Sequence, residues 1–364
     1  HHPARRLSHA RPASPRELME HPLTIVGGGL TGLSLGIALR RSDIEVRVCE
    51  AGSYPRHRVC GEFISGISPD TQTALGITGA FAPQTINHDS EWFYRDRPAL
   101  RKTLPSPAIG ISRYHLDQWL AGEFVRLGGD LQTGSRVRPD DLPAEASIWC
   151  DGRRRHSGGG WLGLKCHARD FELATDLQMH FGKDCYVGVS RIEDGRVNIC
   201  GLFRQQRGLS SSDRRELLLR YLRAGQLGRL AGEVASATID PDSLLGVSAF
   251  RLGHQPDRPG SGSDRLNLGD AESMIPPFTG NGMTMAFQSA EIATAPLVEY
   301  ARGTLTWNEA TQLIRREHSR RFQHRLRWAM KLHPWLLRSS GQRTLVALTR
   351  AKLIPFSLLF KQTR

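Results

Sequence analysis

Three glycines spaced Gly27-x-Gly29-x-x-Gly32, in the run LTIVGGGLTGLSLGIAL, are the first residues whose spacing implies chemistry. Glycines at this spacing permit a tight turn and a close approach of backbone to a pyrophosphate, whose negative charge is favoured at a helix N-terminus. Gly27, Gly29, Leu30, Thr31 and Gly32 are therefore expected dinucleotide contacts. Glu50 follows eighteen residues after Gly32, close to the distance at which a carboxylate accepts hydrogen bonds from ribose hydroxyls. A second match, Gly158-x-Gly160-x-x-Gly163, follows Arg-Arg-Arg-His-Ser rather than an apolar strand and precedes no helical pattern. It reads as a loop, which leaves one dinucleotide fold.

These residues need particular elements to place them. Leu23–Val26 is a short apolar run of the kind found in buried parallel strands. Leu33, Ile37 and Leu39 recur at helical spacing, and residues 45–49 form a second strand that closes on Glu50. Strand, glycines, helix, strand and acid thus occur in the order of a βαβ unit. Farther on, SRYHLDQWLAGEFV places Leu116, Trp119, Leu120 and Phe124 on one helical face, and 147–150 is a short strand ending in Asp151-Gly152. From 171 to 203 the pattern alternates, with Glu193-Asp194-Gly195 as a hairpin turn, so an antiparallel sheet is inserted into an α/β chain. Residues 211–236 return to helix and 244–252 form a strand. A strand at 266–268 then leads into Gly269-Asp270, a Pro-Pro turn, a glycine loop and a long helix.

Composition narrows the function. At 364 residues with 39% hydrophobic residues, the chain can bury a substantial core. No apolar run reaches the roughly 18–20 residues of a bilayer span. The first twenty residues lack an apolar run, so they read as a disordered basic tail rather than a secretory signal, with His1-His2 as a tag remnant and Met19 as the natural start. Six dispersed cysteines without a CxxC pair suit a reduced, cytoplasmic chain and no metal site. The net charge of +13 sits at the two ends: 305–364 hold thirteen Lys/Arg against two Glu, and 1–20 hold four Arg against two Glu. Nucleic acid is not expected as a partner, because cations confined to the ends do not line a cleft.

The order of GGGLTG with Glu50, ISRYHLDQWL, CDG at 150–152 and GDAESMIPPFTGNGMTMA resembles the FAD-dependent monooxygenase superfamily of aromatic hydroxylases. Geranylgeranyl reductases and flavin-dependent halogenases are similar proteins. The resemblance covers roughly 21–304. It implies an α/β fold with a Rossmann-like FAD-binding domain from 21–68, 101–165 and 265–304. A substrate domain containing an antiparallel sheet would come from 69–100 and 166–264, followed by basic C-terminal helices at 305–364.

The same resemblance implies FAD as cofactor. Asp270 matches the carboxylate that binds the ribityl chain, and Pro277, Gly280, Asn281, Gly282 and Met283 match the helix start whose N–H groups face the flavin. Arg113 would lie near the FAD phosphates or ribose, with an exposed helix arginine as the alternative, and Val137 near the adenine through its backbone. Asp151-Gly152 matches the family's Asp-Gly pair without its following serine, so an ordinary strand-end turn is the alternative. In PRHRVCGEFIS, Arg58, Val59, Cys60 and Gly61 would run past the cofactor, and a Cys-Gly pair there is similar to the reductases.

Two reactions follow from the resemblance. A hydroxylase would pass oxygen from a flavin C4a-hydroperoxide to an aromatic or olefinic carbon of a hydrophobic small molecule. A geranylgeranyl-reductase-like enzyme would give hydride to an isoprenoid double bond. The halogenases' GWxWxIP signature is absent. With one nucleotide fold, NAD(P)H would visit transiently, or a separate reductase would supply electrons. Cys60, Lys165 and His167 are candidate catalytic residues; the alternatives are a small buried thiol and a surface pair at a strand edge. Phe250 and Arg251 are candidate substrate contacts.

The C-terminal sixty residues interleave Arg and Lys with Trp, Leu, Phe and Ile. They read either as helices capping the body or as a peripheral contact with an anionic inner-membrane face. A non-catalytic basic adaptor for membrane or nucleic acid is the reading of another class.

Overall fold

Strand β1 (Leu23–Val26) is buried along its whole length, as a strand covered on both faces must be. The computed structural model describes residues 22–153, 160–255, 265–351 and 353. The expected basic tail, Gly158 of the second glycine pattern with Arg154 and Arg155 before it, and the last eleven residues of the basic segment lie outside these residues. Helix α1 (Leu30–Arg40) is buried from Leu30 to Leu39. Then come β2 (Val46–Cys49), β3 (Phe63–Ser65), α2 (Pro69–Leu75), β4 (Thr85–Tyr94) and β5 (Arg97–Gly110). Helix α3 (Arg113–Arg126) buries Leu116, Leu120 and Phe124, so its apolar stripe faces inward as the spacing predicts. The chain continues through β6 (Asp130–Gln132), β7 (Ser147–Trp149), β8 (Trp161–Arg169), β9 (Leu177–Gly182), β10 (Cys185–Arg191) and β11 (Val197–Arg204). Helices α4 (Arg214–Ala224) and α5 (Gly228–Ser236) split the expected 211–236 helix, and β12 (Thr238–Ile239), β13 (Leu245–Ser248), β14 (Gly253–His254), β15 (Leu266–Asn267) and β16 (Ser273–Met274) are short. Three helices end the described chain: α6 (Gly282–Ala301), α7 (Trp307–Leu337) and α8 (Ser339–Arg350).

Five strands form a parallel sheet in the order β15-β7-β1-β2-β6. Helices α1, α3 and α6 supply Leu33, Ile37, Phe124 and Phe287 to one apolar core with its strands. The larger sheet runs β12-β8-β11-β10-β9-β4-β5-β3, with β13 also on β8. It is antiparallel except where β4 joins β9 in parallel. The hairpin at 193–195 joins β10 to β11 as expected, with Asp194 and Gly195 both at positive φ. Strand β8 replaces the expected loop from Trp161 onward. Its one glycine is absorbed by pairing, since Gly163 sits opposite both Leu202 and Val247. Strands β5 and β8 run through the expected domain boundaries at 101 and 165, each belonging whole to the larger sheet.

Helix α7 starts with a capping box: Thr306 Oγ1 accepts the Glu309 N–H, and Glu309 Oε2 accepts the Thr306 N–H at 2.8 Å. Its inward side chains Phe322 and Ala329 pack with Ile275 and Met285. Phe322 has no exposed surface. Phe322→Ala should therefore destabilise the protein by about 3–5 kcal/mol, read as a lowered midpoint in denaturant unfolding; an unchanged midpoint would mean that α7 is not part of the folded body.

Candidate functional site

The β1–α1 turn shows why each glycine is there. Gly27 has φ +106, and a Cβ on it would lie 2.4 Å from the Cys150 carbonyl oxygen. A Cβ on Gly32 would meet the Gly27 carbonyl at 2.0 Å, so this glycine serves helix–strand packing and stays behind the turn. Gly29 differs. A Cβ there would find nothing nearer than an Arg113 nitrogen at 3.8 Å, because the space beyond it is open. That space is a cavity of about 1280 Å³, lined by Gly27, Gly29, Leu30 and Thr31 at one end. It exceeds the ~300–1,000 Å³ of ordinary small-molecule sites.

Charge at this end is dense and mostly paired. Glu50 accepts from the N–H groups of Gly28 (2.9 Å) and Gly52 (2.8 Å), pairs with Arg56 at 2.6 Å, and lies 3.5 Å from Arg58. Burial acts to raise its pKa, but the Gly52 N–H and the two guanidiniums outweigh that and hold it below the usual carboxylate range. Arg58 and Arg113 share Asp117, whose side chain has no exposed surface, at 2.7 and 2.8 Å. Arg113 is thus a paired, largely buried residue rather than an exposed helix arginine. Arg56, Arg58, Arg113, Arg136 and Arg153 all line the cavity beside the α1 N-terminus. A wall so rich in cations suits a phosphate-bearing ligand.

The stretch after Arg58 is held by an interaction that the sequence does not advertise. Glu62 adopts φ +52, uncommon for a side chain with a Cβ. Its carboxylate is wholly buried and takes three donors: Lys165 Nζ at 2.9 Å, His167 Nε2 at 2.5 Å and the Arg113 N–H at 3.0 Å. Burial alone would raise its pKa, yet the Lys165 charge and the His167 hydrogen bond bring it down to about 2. Asn198, opposite His167 in the sheet, donates to the Cys60 and Gly61 carbonyls at 3.1 and 2.8 Å. Val59, Cys60, Gly61 and Glu62 line the cavity, whereas Lys165 and His167 stand behind Glu62. Neither expected role of Lys165 and His167 is therefore seen: they neither reach the cavity nor lie on the surface. β8 is an interior strand, and their side chains leave its face toward this loop. Cys60 is half-buried, and its enclosure pushes the thiol pKa up, against a thiolate nucleophile.

His57 extends the cluster, its ring 5.0 Å from that of His167 and its Nε2 3.7 Å from Asp240. Desolvation and the nearby Lys165 lower its pKa to about 4. The ligand-type atoms of His57, His167 and Asp240 lie within 4.8 Å of one another.

The other expected residues divide cleanly. Val137, Asp151, Gly152, Asp270, Pro277, Gly280, Gly282, Met283 and Phe250 line the cavity. Burial pushes the Asp270 carboxyl up from its usual range. Asn281 is buried away from the cavity wall, where Arg325 of α7 approaches it at 3.4 Å. Arg251 is exposed and outside the cavity; the strand expected at 244–252 ends at Ser248, so alternation no longer directs that side chain inward. The far end of the cavity is apolar, with Trp92, Met179, Phe181, Phe250, Phe278 and Leu336 on its walls. Glu62, Asp117, Arg56 and Asn198 were not singled out in the sequence. Only Asp117 had a local signal, four residues after Arg113 on one helix face.

Removing Lys165 would leave a buried carboxylate short of its main counter-charge. Lys165→Met should cost about 3–5 kcal/mol in urea unfolding, and a loss below 1 kcal/mol would count against the pairing. Glu62 has a folded pKa near 2 against an ordinary 4.5. Its ionisation therefore contributes stability fully above pH 4.5, and the contribution disappears as pH falls toward 2. Glu62→Gln should flatten that part of the pH–stability curve, and an unaltered acid slope would refute the assignment.

No protein-family model matches the chain. Conditioned medium factor receptor 1 of Dictyostelium discoideum is 20% identical over 143 residues, which cover 35% of this chain and 28% of that protein. The match thus spans less than a third of that relative. Solved structures agree over most of the length. PqsL of Pseudomonas aeruginosa, a probable FAD-dependent monooxygenase, is 16% identical over 88% of this chain and 97% of its own, with a TM-score of 0.66. A variant of Klebsiella pneumoniae HpxO complexed with FAD is 18% identical, covering 90% and 94% at a TM-score of 0.68. The flavin-dependent brominase Bmp2 is 14% identical, covering 93% and 92% at 0.68. At such identities the likeness is one of architecture. The chain has the Rossmann-like α/β fold of the FAD-dependent monooxygenases and their halogenating relatives, as its motifs predict.

Proposed function

We propose that this protein is an FAD-dependent oxidoreductase, a monooxygenase acting on a hydrophobic aromatic or olefinic small molecule. The observation that carries this reading is a set of three glycines with no other explanation. Gly29, Gly61 and Gly282 come from three separate segments and line one cavity, none at positive φ. A Cβ on Gly61 would meet nothing within 4 Å, and on Gly29 and Gly282 nothing nearer than 3.8 and 4.0 Å. Protein packing does not require glycine there, whereas a large ligand lying against the backbone does.

The residues present fit FAD. Glu50 and the arginines around Gly29 would hold its adenosine and pyrophosphate half. Asp270 and the first N–H groups of α6 would hold the flavin half, with the helix N-terminus favouring negative charge. FAD bound there would supply two-electron redox chemistry and reactivity with O₂. The chain's own part is to orient substrate and exclude water. Trp92, Phe181, Phe250 and Phe278 offer an apolar chamber, and the Tyr186 hydroxyl, 3.4 Å from His333 Nε2, supplies a buried polar pair beside it. Electrons would come from NAD(P)H visiting transiently or from a separate reductase. The runner-up is reduction of an isoprenoid double bond, favoured by the Cys60-Gly61 pair at the cavity wall and by the chamber's apolar lining.

Purified protein should take up FAD and show flavin absorbance after dialysis. Gly29→Val should weaken that binding at least tenfold, about 1.4 kcal/mol, without altering the circular dichroism. A wild-type protein that stays colourless would sink both enzyme readings. With reduced holoprotein and a panel of aromatic and isoprenoid compounds, ¹⁸O₂ should label the product. A product gaining two hydrogens and no label would establish the reductase instead.

A further inference from the structure

The outward side of α7 and α8 is strongly basic and also carries large exposed apolar side chains. Trp328 and Trp335 are 38% and 54% exposed, and with the exposed Lys331 they fall at i, i+3 and i+7 on one helix face. Arg327 and Arg338 are exposed close by in the chain, Arg343 and Leu348 are exposed on α8, and Leu353 just after it is 67% exposed. The inner side of the same helices is mainly apolar, with His318, Arg325, His333 and Gln342 buried among the hydrophobic residues. Phe322, Ala329, Leu336 and Leu337 are buried, and Leu332, Leu336 and Leu345 reach the cavity wall. A helix that only capped the body would present a polar outer face. No helix among the described residues is long and apolar enough to cross a membrane.

We propose that this outer face docks on an anionic phospholipid surface. Trp328 and Trp335 would sit at headgroup depth, where amphipathic rings are favoured, and Arg327, Lys331 and Arg338 would pair with anionic headgroups. The helices that wall the apolar end of the cavity would then lie along the interface from which an apolar substrate partitions. Charge favours lipid over a second copy of this chain: a two-fold contact would set this basic patch against the same basic patch, and 305–364 carry thirteen cations against two acids. The docking stands independently of the flavin reading, because neither tryptophan lines the cavity.

The test is co-sedimentation of the full chain with phosphatidylcholine vesicles, with and without phosphatidylglycerol. Sedimentation should require the anionic lipid and weaken as salt shortens the Debye length from ~10 Å at 0.1 M to ~3 Å at 1 M. Trp328→Ser/Trp335→Ser and Arg327→Glu/Lys331→Glu should each weaken binding at least tenfold, with melting temperature and flavin uptake unchanged. Tryptophan emission should shift to the blue on vesicle binding in the wild type but not in the double Trp variant. Three results would overturn the proposal: equal binding to neutral vesicles, variants that bind like wild type, or no vesicle binding together with a dimer or an oligonucleotide complex that the variants abolish. Because flavin absorbance is measured separately, a colourless protein that still sediments would defeat the enzyme reading and leave the docking intact.

Discussion

A carboxylate with no access to water must be matched by charge and hydrogen bonds from the protein itself. At Glu62 that requirement draws Lys165 and His167 of β8, together with the first turn of α3, onto one short loop. The loop also carries Arg58, Val59, Cys60 and Gly61, which face the cavity. Asn198 holds two of its carbonyls from the neighbouring strand. The larger sheet is thereby fastened to the dinucleotide-type half through the residues that border the proposed cofactor. A second tie runs in the other direction: Glu193 in the β10–β11 hairpin accepts the Ser112 N–H at 2.8 Å, at the N-cap of α3.

These ties let one cavity have two different ends. Near α1, arginines offset by Glu50 and Asp117 leave an excess of positive charge where the backbone is bare of side chains. At the opposite end, aromatic and aliphatic residues from β4, β9, α7 and α8 leave a chamber with few polar atoms. A ligand that is anionic at one part and planar at another could span the first end and part of the second. What remains is suited to an apolar molecule. Helices α7 and α8 are therefore part of the site as well as its outer cover: Arg327, Lys331 and Arg343 are turned to solvent, Arg325 is buried against Asn281 and Gln288, and Leu332, Leu336 and Leu345 reach the chamber.

Much of this was legible in the chain. The βαβ unit followed from Leu23–Val26, the three glycines and Glu50, because each signal is local and they occur in a fixed order. The α3 stripe of Leu116, Leu120 and Phe124 and the turn at Asp194-Gly195 were equally plain. β8 was not, because its glycine and the glycines and arginines before it resemble a loop until β11 and β13 pair with both of its edges. The role of Lys165 and His167 was hidden for a related reason. Their spacing puts them on one face of a strand, but the group that face meets lies more than a hundred residues earlier.

The amino-acid order by itself determined the dinucleotide-type unit, the inserted sheet around its hairpin, and the basic amphipathic end. These depend on backbone preferences and on apolar periodicity, both written within a few neighbouring residues. Only the tertiary structure decided which charges are buried together, which glycines face open space, and that α7 and α8 wall the same cavity as the β1–α1 turn. Those facts depend on contacts between segments far apart in sequence, where the cost of an unmatched buried charge selects the partner and no local pattern records the choice.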